Sequence, residues 1–187
     1  MSTSNVKPIP EGYLTVTPSL VFKNASKAMD FYKELFNAKE KYRLEYKNKM
    51  VHAEMKIGES VIMLSDEMPE MNSLSAETIG NSPIQLYIYV ENVDDTFNKA
   101  IKMGAKPDHP VQTQFYGDRI GAITDPFGFK WTIATHVKNV PMDEIKKNLA
   151  DFVNKMGKSK SLGDDFKEKY LIYKQKYLEL QNKVKQT

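Results

Sequence analysis

The sequence of 187 residues contains no cysteine, one tryptophan, three histidines and two arginines. The absence of cysteine excludes a disulfide framework, a thiolate metal site and a cysteine nucleophile, and it agrees with a reducing compartment. A run of about 18 apolar residues, the length of a membrane span, is also missing, and the N-terminus has no basic segment leading into an apolar one. We therefore expect a cytoplasmic, soluble protein with no membrane partner, built as one domain with extensions.

Acidic and basic residues are unevenly distributed along the chain. Residues 1–136 hold 15 Lys and Arg against 17 Asp and Glu, whereas residues 137–187 hold 12 against 7. In the basic segment the lysines are interleaved with acids, a pattern typical of a solvated helix face. This pattern argues against a nucleic acid partner.

Secondary-structure patterns follow the same order twice. From Leu14 an alternating stretch predicts a strand, and a helix over residues 27–36 follows, with Asn24 or Ser26 as its cap. Three more strands come next, the last two joined by a short hairpin at "GE". The order then recurs, with equivalent residues 68 or 69 positions apart. The sequence thus predicts an α+β fold of two βαβββ modules that form a cupped mixed sheet.

These patterns predict the domain boundaries. We expect an N-terminal arm, a two-module domain with an internal linker, and a helical tail: residues 1–12 for the arm, 13–137 for the domain (module one 13–66, linker 67–82, module two 83–137) and 138–187 for the tail. The linker is rich in Ser, Asn and Pro and is predicted to be mobile.

The tail contains two helical patterns. The first begins with Pro141 in its first turn and is predicted to end at Gly157. The second covers about residues 164–184 and has apolar residues at alternating steps of four and three, which is a coiled-coil seam: Phe166, Tyr170, Tyr173, Tyr177, Leu180 and Val184. This amphipathic helix is expected either to self-associate or to lie against the domain.

Three stretches carry a resemblance to a known family. "AMDFYKELFNAKE", "MVHAEMKIGESVIMLSDEMPE" and "FYGDRIGAITDPFGFKWTIATH" resemble the vicinal oxygen chelate superfamily of glyoxalases, bleomycin and fosfomycin resistance proteins and dioxygenases, and within it the PhnB-like group. The similarity runs from Leu14 to His136. It implies a cup that binds a small organic ligand and a homodimer that completes the cup.

Metal-using members of that superfamily place His and Glu ligands at four inward-facing strand positions. Carried over, these positions fall on Thr17, Met63 (or Ile62 if the register slips by one), Gln85 and Thr132. Neutral hydroxyl, amide and thioether groups are poor ligands for a hard divalent ion. We therefore expect no metal and no other cofactor.

Strand parity predicts which side chains line the cup, and it places the opposite set, Trp131 among them, in the core under the helices. The expected ligand-binding residues are Thr17, Met63, Gln85, Tyr87, Tyr89, Thr132 and Arg119. Two alternatives remain open: the cup could be filled by its own tyrosines and Met63, and Arg119 could form an ion pair with Asp118 or Asp125. Neither the residue types nor the resemblance identifies a catalytic residue, so enzymatic activity stays undecided.

Two other functions remain possible. One is a metal-dependent lyase or dioxygenase with displaced ligands such as His52 and Glu54. The other is a scaffold that assembles through its C-terminal helix. There the stretch "KYLIYKQKYLELQNK" resembles the "KYLxYKxKYLxL" tails of giant DNA virus proteins, which implies a viral protein in host cytoplasm or virion.

Overall fold

The strands within residues 6–158 form two four-stranded mixed sheets. The computed structural model describes residues 6–158, of which residues 150 and 153–158 are described by their backbone alone. The chain divides into two units, the first ending at Val137 and the second beginning at Lys138. The predicted amphipathic helix at about 164–184 lies outside the described residues.

The elements of the first unit repeat in the predicted order. They are β1 (Ser19–Phe22), α1 (Ala25–Phe36), β2 (Lys39–Tyr46), β3 (Lys49–Ile57), β4 (Ser60–Asp66), a 3-10 turn (Pro69–Met71), α2 (Ala76–Ile79), β5 (Gln85–Tyr89), α3 (Val93–Lys102), β6 (Lys106–Thr113), β7 (Asp118–Thr124) and β8 (Lys130–His136). Sheet one has the order β1-β4-β3-β2 and sheet two the order β5-β8-β7-β6. In each sheet the first strand pairs in parallel and the others are antiparallel. The two βαβββ modules are confirmed.

Both long helices of this unit begin with the same capping chemistry. Asn24 accepts a hydrogen bond from the backbone N–H of Lys27, and Asn92 accepts one from Asp95. An asparagine in extended conformation satisfies a backbone donor that the first helical turn leaves open. Of the two predicted caps of α1 the structure selects Asn24, since Ser26 lies inside the helix, and the counterpart Asn92 stands 68 residues later.

The core lies between the helices and one face of each sheet. Most of its strand residues have the predicted helix-facing parity, and the buried ones include Leu20, Phe22, Ala53, Met55, Ile62, Leu64, Ile123, Trp131 and Ile133. Rings from both modules meet there: Phe22 lies 5.1 Å from Phe129 and Tyr32 lies 5.4 Å from Trp131, measured between centroids. Trp131 is 3% exposed and is a core residue, as predicted.

Asp125 joins the two modules. It opens a turn at "DPFG", whose Pro and Gly positions are typical of a type I turn, and its Oδ1 accepts from the N–H groups of Phe127 and Phe129, both at 2.9 Å. Its Oδ2 accepts from the Tyr32 hydroxyl of α1 at 2.6 Å and from Trp131 Nε1 at 3.0 Å. Burial raises the pKa of this carboxyl, and the four donors partly oppose that rise. One side chain thus shapes a turn in module two and holds a helix of module one.

Two segments differ from the sequence prediction. The strand expected from Leu14 begins only at Ser19, because Pro18 has no N–H to donate. The linker expected to be mobile contains α2, whose Ser75 cap and Thr78 both donate to the Glu67 carboxylate. These donors lower the pKa of Glu67 to about 2. A charged hydrogen-bond network therefore holds the connection between the modules.

The second unit contains α4 (Met142–Lys158) within its described residues. The helix follows Pro141, as predicted, because proline loses nothing at a position where the N–H has no helical partner. Gly157 was predicted to end the helix, but α4 includes it and extends to Lys158. None of the helices within residues 6–158 has the length and apolar character needed to cross a bilayer.

Candidate functional site

Each sheet has a second face that carries polar and aromatic side chains. We call this the open face, meaning the side opposite the helices, and its members follow from the strand register. On sheet one they are Ser19, Tyr42, His52, Glu54 and Met63, and on sheet two Gln85, Tyr87, Tyr89, Asp118, Thr132 and His136. Parity arguments from the sequence predicted most of these positions. They are the starting point for a site.

A buried carboxylate organises the open face of sheet one. Glu54 on β3 is 2% exposed, and its Oε1 accepts from the Tyr42 hydroxyl at 2.7 Å and lies 3.1 Å from His52 Nε2. Its Oε2 accepts from the hydroxyl of Tyr13 and lies 3.3 Å from Lys41 Nζ. Tyr13 belongs to the N-terminal arm, which in the structure extends to residue 18, before β1. Burial alone would raise the pKa of Glu54, but these donors together lower it to about 2. The carboxylate is therefore ionised near neutral pH.

A cavity of about 410 Å³ lies beside this carboxylate. Tyr42, Glu54 and Met63 line it from the sheet, and the arm contributes Pro8, Ile9, Pro10, Tyr13, Leu14, Thr15 and Thr17. Its size falls within the range of about 300 to 1,000 Å³ that small-molecule sites occupy. Thr17 and Met63, both predicted from the resemblance, are thus brought together in one cavity.

Sheet two brings together the other predicted side chains. Gln85 Nε2 donates to Thr132 Oγ1 at 2.6 Å, so two of the four carried-over ligand positions pair with each other. The phenolic groups of Tyr87 and Tyr89 donate to Asp118 Oδ2 at 3.3 and 2.9 Å. The predicted tyrosine surface therefore includes a carboxylate that strand parity had not marked as part of the site.

Asp118 also holds the histidine at the end of β8. The Oδ1 of Asp118 lies 2.6 Å from His136 Nδ1, and Asp118 itself is 6% exposed. Burial opposes ionisation of Asp118, yet hydrogen bonds from His136 and the two tyrosines hold its pKa below the usual value. Burial raises the pKa of Tyr87, which therefore stays a neutral hydrogen-bonding group. A carboxylate that orients an imidazole is an arrangement able to bind or transfer protons.

A wide groove of about 1530 Å³ adjoins this cluster. Tyr87, Tyr89 and His136 line it together with apolar residues of α1 and β5, among them Leu35 and Leu86. Its volume exceeds the range typical of small-molecule pockets.

Arg119 lies outside the predicted cup. Arg119 pairs with Thr135 of β8, and its side chain lies on the helix-facing side of β7. Its guanidinium donates two hydrogen bonds, of 2.8 and 2.7 Å, to the Asp94 carboxylate of α3. The expected alternative partners were Asp118 and Asp125, and the structure selects neither. The reason is parity, because Asp118 projects from the opposite face of the same strand. The structure thus assigns Arg119 to a strand–helix ion pair.

Sequence reasoning missed the arm–sheet contact and the Asp118 cluster. Tyr13 and Glu54 are 41 residues apart, and nothing in their local pattern links them. For Asp118 the sequence did contain a signal, because this residue stands next to Arg119 in the same strand. Residues adjacent in a strand point to opposite faces, so when one binds a helix the other must face the open side.

Two βαβββ modules with polar open faces define a protein of the glyoxalase-like fold class. The sequence comparison agrees, since the family model of the Glyoxalase/Bleomycin resistance protein/Dioxygenase superfamily matches residues 15–133. The chain belongs to this superfamily. The uncharacterized proteins Mb0911c of Mycobacterium bovis and Rv0887c of Mycobacterium tuberculosis are 35% identical to it over 135 residues. That length is 70% of this chain and 89% and 79% of theirs, respectively.

Solved structures share the fold. The PhnB protein from Bacillus cereus has a TM-score of 0.54 at 19% identity, covering 65% of this chain and 99% of that one. TioX from Micromonospora sp. ML1 has a TM-score of 0.53 at 21% identity, and the match covers 65% of this chain and 98% of that one. The fosfomycin resistance protein FosX from Listeria monocytogenes was solved with Mn(II) and sulfate. It has a TM-score of 0.51 at 16% identity, and the match covers 72% of this chain and 95% of that one. At these identities the likeness concerns the fold.

The residues present do not fit the metal that some superfamily structures contain. Thr17, Met63, Gln85 and Thr132 offer neither an imidazole nor a carboxylate. His52 and Glu54 do meet, as the displaced-ligand alternative requires, but within residues 6–158 no group of three His, Cys, Asp or Glu is placed to hold an ion. No step of a mechanism is therefore assigned to a metal.

Proposed function

We propose that this protein binds a small organic ligand on the open face of sheet one without a metal. The observation that carries the proposal is the cavity of about 410 Å³ that Thr17 and Met63 share with the buried Glu54 carboxylate. Apolar arm residues and a few convergent polar groups are the usual lining of a small-molecule site. The other expected ligand-binding residues do not line this cavity: Gln85, Tyr87, Tyr89 and Thr132 lie on the open face of sheet two, and Arg119 pairs with Asp94.

The binding proposal is tested by a fragment screen on full-length protein prepared without chelator or affinity nickel. Methionine-methyl NMR is expected to show ligands that perturb Met63. A Met63→Trp variant, which fills the cavity, is expected to weaken them by about tenfold or more, equivalent to about 1.4 kcal/mol. Lys106→Ala, at the exposed start of β6, serves as the control and should bind normally.

Two results would contradict this proposal. The first is a set of ligands that bind the Met63→Trp variant with the same affinity as the unmodified protein. The second is one equivalent of Mn(II), Zn(II), Ni(II) or Fe(II) bound in calorimetric titration, which would restore the metal-dependent lyase or dioxygenase alternative and direct attention to His52 and Glu54.

The same proposal includes a homodimer that completes the cup. β1 and β5 are terminal strands of separate sheets, so the cup inferred from the resemblance is not closed within the first unit. Tyr87 and Tyr89, beside the wide groove, are 49% and 63% exposed. A second copy that covers this groove would bury both rings and cover the edge of β5. Superfamily members often form dimers, which supports the proposal.

Light scattering of the full chain tests the dimer. The mass is expected to be twice the 21.5 kDa of one chain. Tyr89→Lys should shift the equilibrium toward monomer, because it places a charge in the covered groove. Tyr46→Lys, at a tyrosine 66% exposed on β2, is the matched control and should leave the mass unchanged.

A chain lacking residues 158–187 separates this dimer from assembly through the tail. We expect the shortened chain to keep its dimeric mass. A monomer would instead favour the scaffold hypothesis, in which the predicted amphipathic helix drives association. The viral origin and cytoplasmic location implied by the tail and the composition remain predictions.

A further inference from the structure

An ammonium group of the protein itself lies at the mouth of the Glu54 cluster. Lys41 Nζ is 3.3 Å from Glu54 Oε2 and 3.7 Å from the centroid of the Tyr13 ring. Its side chain is 29% exposed, whereas that of Glu54 is 3% exposed. The ammonium therefore lies between a buried carboxylate and an aromatic face while staying in contact with water.

A carboxylate combined with an aromatic face is the chemistry that recognises organic cations. The ring quadrupole attracts a cation lying within about 6 Å of the ring centroid, and the carboxylate contributes a full opposite charge. Tyr42 adds a second phenol on the other carboxylate oxygen, at 2.7 Å. Tyr13 and Tyr42 also hold the carboxylate in place, so the position of the negative charge is set before any ligand arrives.

Space for the body of a ligand continues from this point. The cavity of about 410 Å³ includes Tyr13, Tyr42 and Glu54 and extends along the apolar arm residues Ile9 and Leu14. Lys41 is not among the residues that line it. Its ammonium thus reaches the carboxylate from β2, beside the cavity, and a ligand lying in the cavity would approach the same oxygen from the arm side.

The Lys41 ammonium can readily move away from the Glu54 carboxylate. It extends from β2, the terminal strand of sheet one, on a flexible four-carbon stem, and a lysine ammonium is strongly hydrated once released. The Glu54 carboxylate has no such freedom because it is buried. A competing ammonium with an apolar body would exchange one ion pair for another and would additionally bury apolar surface.

We propose that the cavity beside Glu54 selects small organic ammonium ions, with the ligand's cation replacing the Lys41 ammonium between Glu54 and the Tyr13 ring. The inference rests on the proposed small-molecule function and specifies its ligand class. Lys41 is then an internal competitor that sets the affinity, and Glu54 is the residue that selects for positive charge.

Calorimetric titration with 2-phenylethylammonium and its neutral counterpart 2-phenylethanol tests this proposal. The full chain is compared with Lys41→Met, which keeps the stem and removes the charge. Lys41→Met is expected to bind the ammonium about tenfold tighter than the unmodified protein, because the competitor is gone. Adding Glu54→Gln to that variant should abolish ammonium binding. Lys39→Met, two residues earlier on the same strand, should behave like the unmodified protein.

The outcomes separate this inference from the proposed function. If the alcohol binds as tightly as the ammonium in all variants, the cavity is a small-molecule site and the ammonium selectivity is wrong. Unchanged ammonium affinity in Lys41→Met also overturns the inference. If neither probe binds to any variant, the ammonium site is overturned, while the proposed function is decided separately by the fragment screen. A circular dichroism melt of each variant confirms that it is folded.

Discussion

Asp125→Ala is expected to lower the free energy of unfolding by about 3 to 5 kcal/mol, the largest effect of any single substitution considered. The carboxylate is 4% exposed and accepts four hydrogen bonds, two from its own turn and two from Tyr32 and Trp131. Alanine leaves all four donors without their acceptor in a buried place, and each unsatisfied buried donor costs about 1 to 3 kcal/mol before relaxation. Urea denaturation followed by the fluorescence of the single tryptophan measures the loss.

Two milder variants show whether the four bonds act together. Asp125→Asn keeps an oxygen for the turn but presents an amide donor to the Trp131 N–H, so an intermediate loss is expected. Tyr32→Phe removes only the bond between the modules and should cost about 1.5 to 3 kcal/mol, the range for a hydrogen bond to a charged group. A loss below about 1 kcal/mol in Asp125→Ala would show that the turn and the helix are held by packing alone.

Glu54→Gln is expected to destabilise the protein by about 2 to 3 kcal/mol at pH 7 and to have almost no effect at pH 2. The pKa of Glu54 is lowered from 4.5 to about 2, and each unit of difference between folded and unfolded states corresponds to about 1.36 kcal/mol. Because the folded pKa is the lower one, the stabilisation is complete above about pH 4.5. It is lost as the pH falls from there through about 2, where half of the folded molecules carry a protonated carboxyl and only a small difference is left.

The measurement is the difference in unfolding free energy between wild type and Glu54→Gln, taken by chemical denaturation from pH 7 to pH 2. Subtraction removes the contributions of Glu40 and Glu67, whose pKa values are also lowered to about 2 and which both proteins retain. A difference that stays constant across this range would mean that the two side chains differ in packing and not in charge.

The comparison with relatives separates the fold from the site. The chain shares its βαβββ modules with FosX, a structure of which contains Mn(II), yet its four carried-over positions bear two threonines, a methionine and a glutamine. Two of these, Gln85 and Thr132, hydrogen-bond each other. The charged groups lie elsewhere on the same faces, at Glu54 and Asp118. Glu54 and Asp118 are each buried and hydrogen-bonded by tyrosines, so the polar chemistry of both open faces centres on a carboxylate.

The sequence by itself determined the elements and their sidedness. Capping by Asn24, the "DPFG" turn and strand alternation all depend on residues within a few positions of each other, so local rules suffice to predict them. The repeat and the family resemblance supplied the pairing of modules. Trp131 was correctly placed in the core by the same parity.

Only the tertiary structure decided which distant groups meet. Arg119 binds Asp94, 25 residues away, Tyr13 reaches Glu54 over 41 residues, and Tyr32 reaches Asp125 over 93. Each of these contacts depends on how a helix or the N-terminal arm packs against a sheet. That packing results from the summed burial of the whole core, in which no short stretch of sequence specifies the partner.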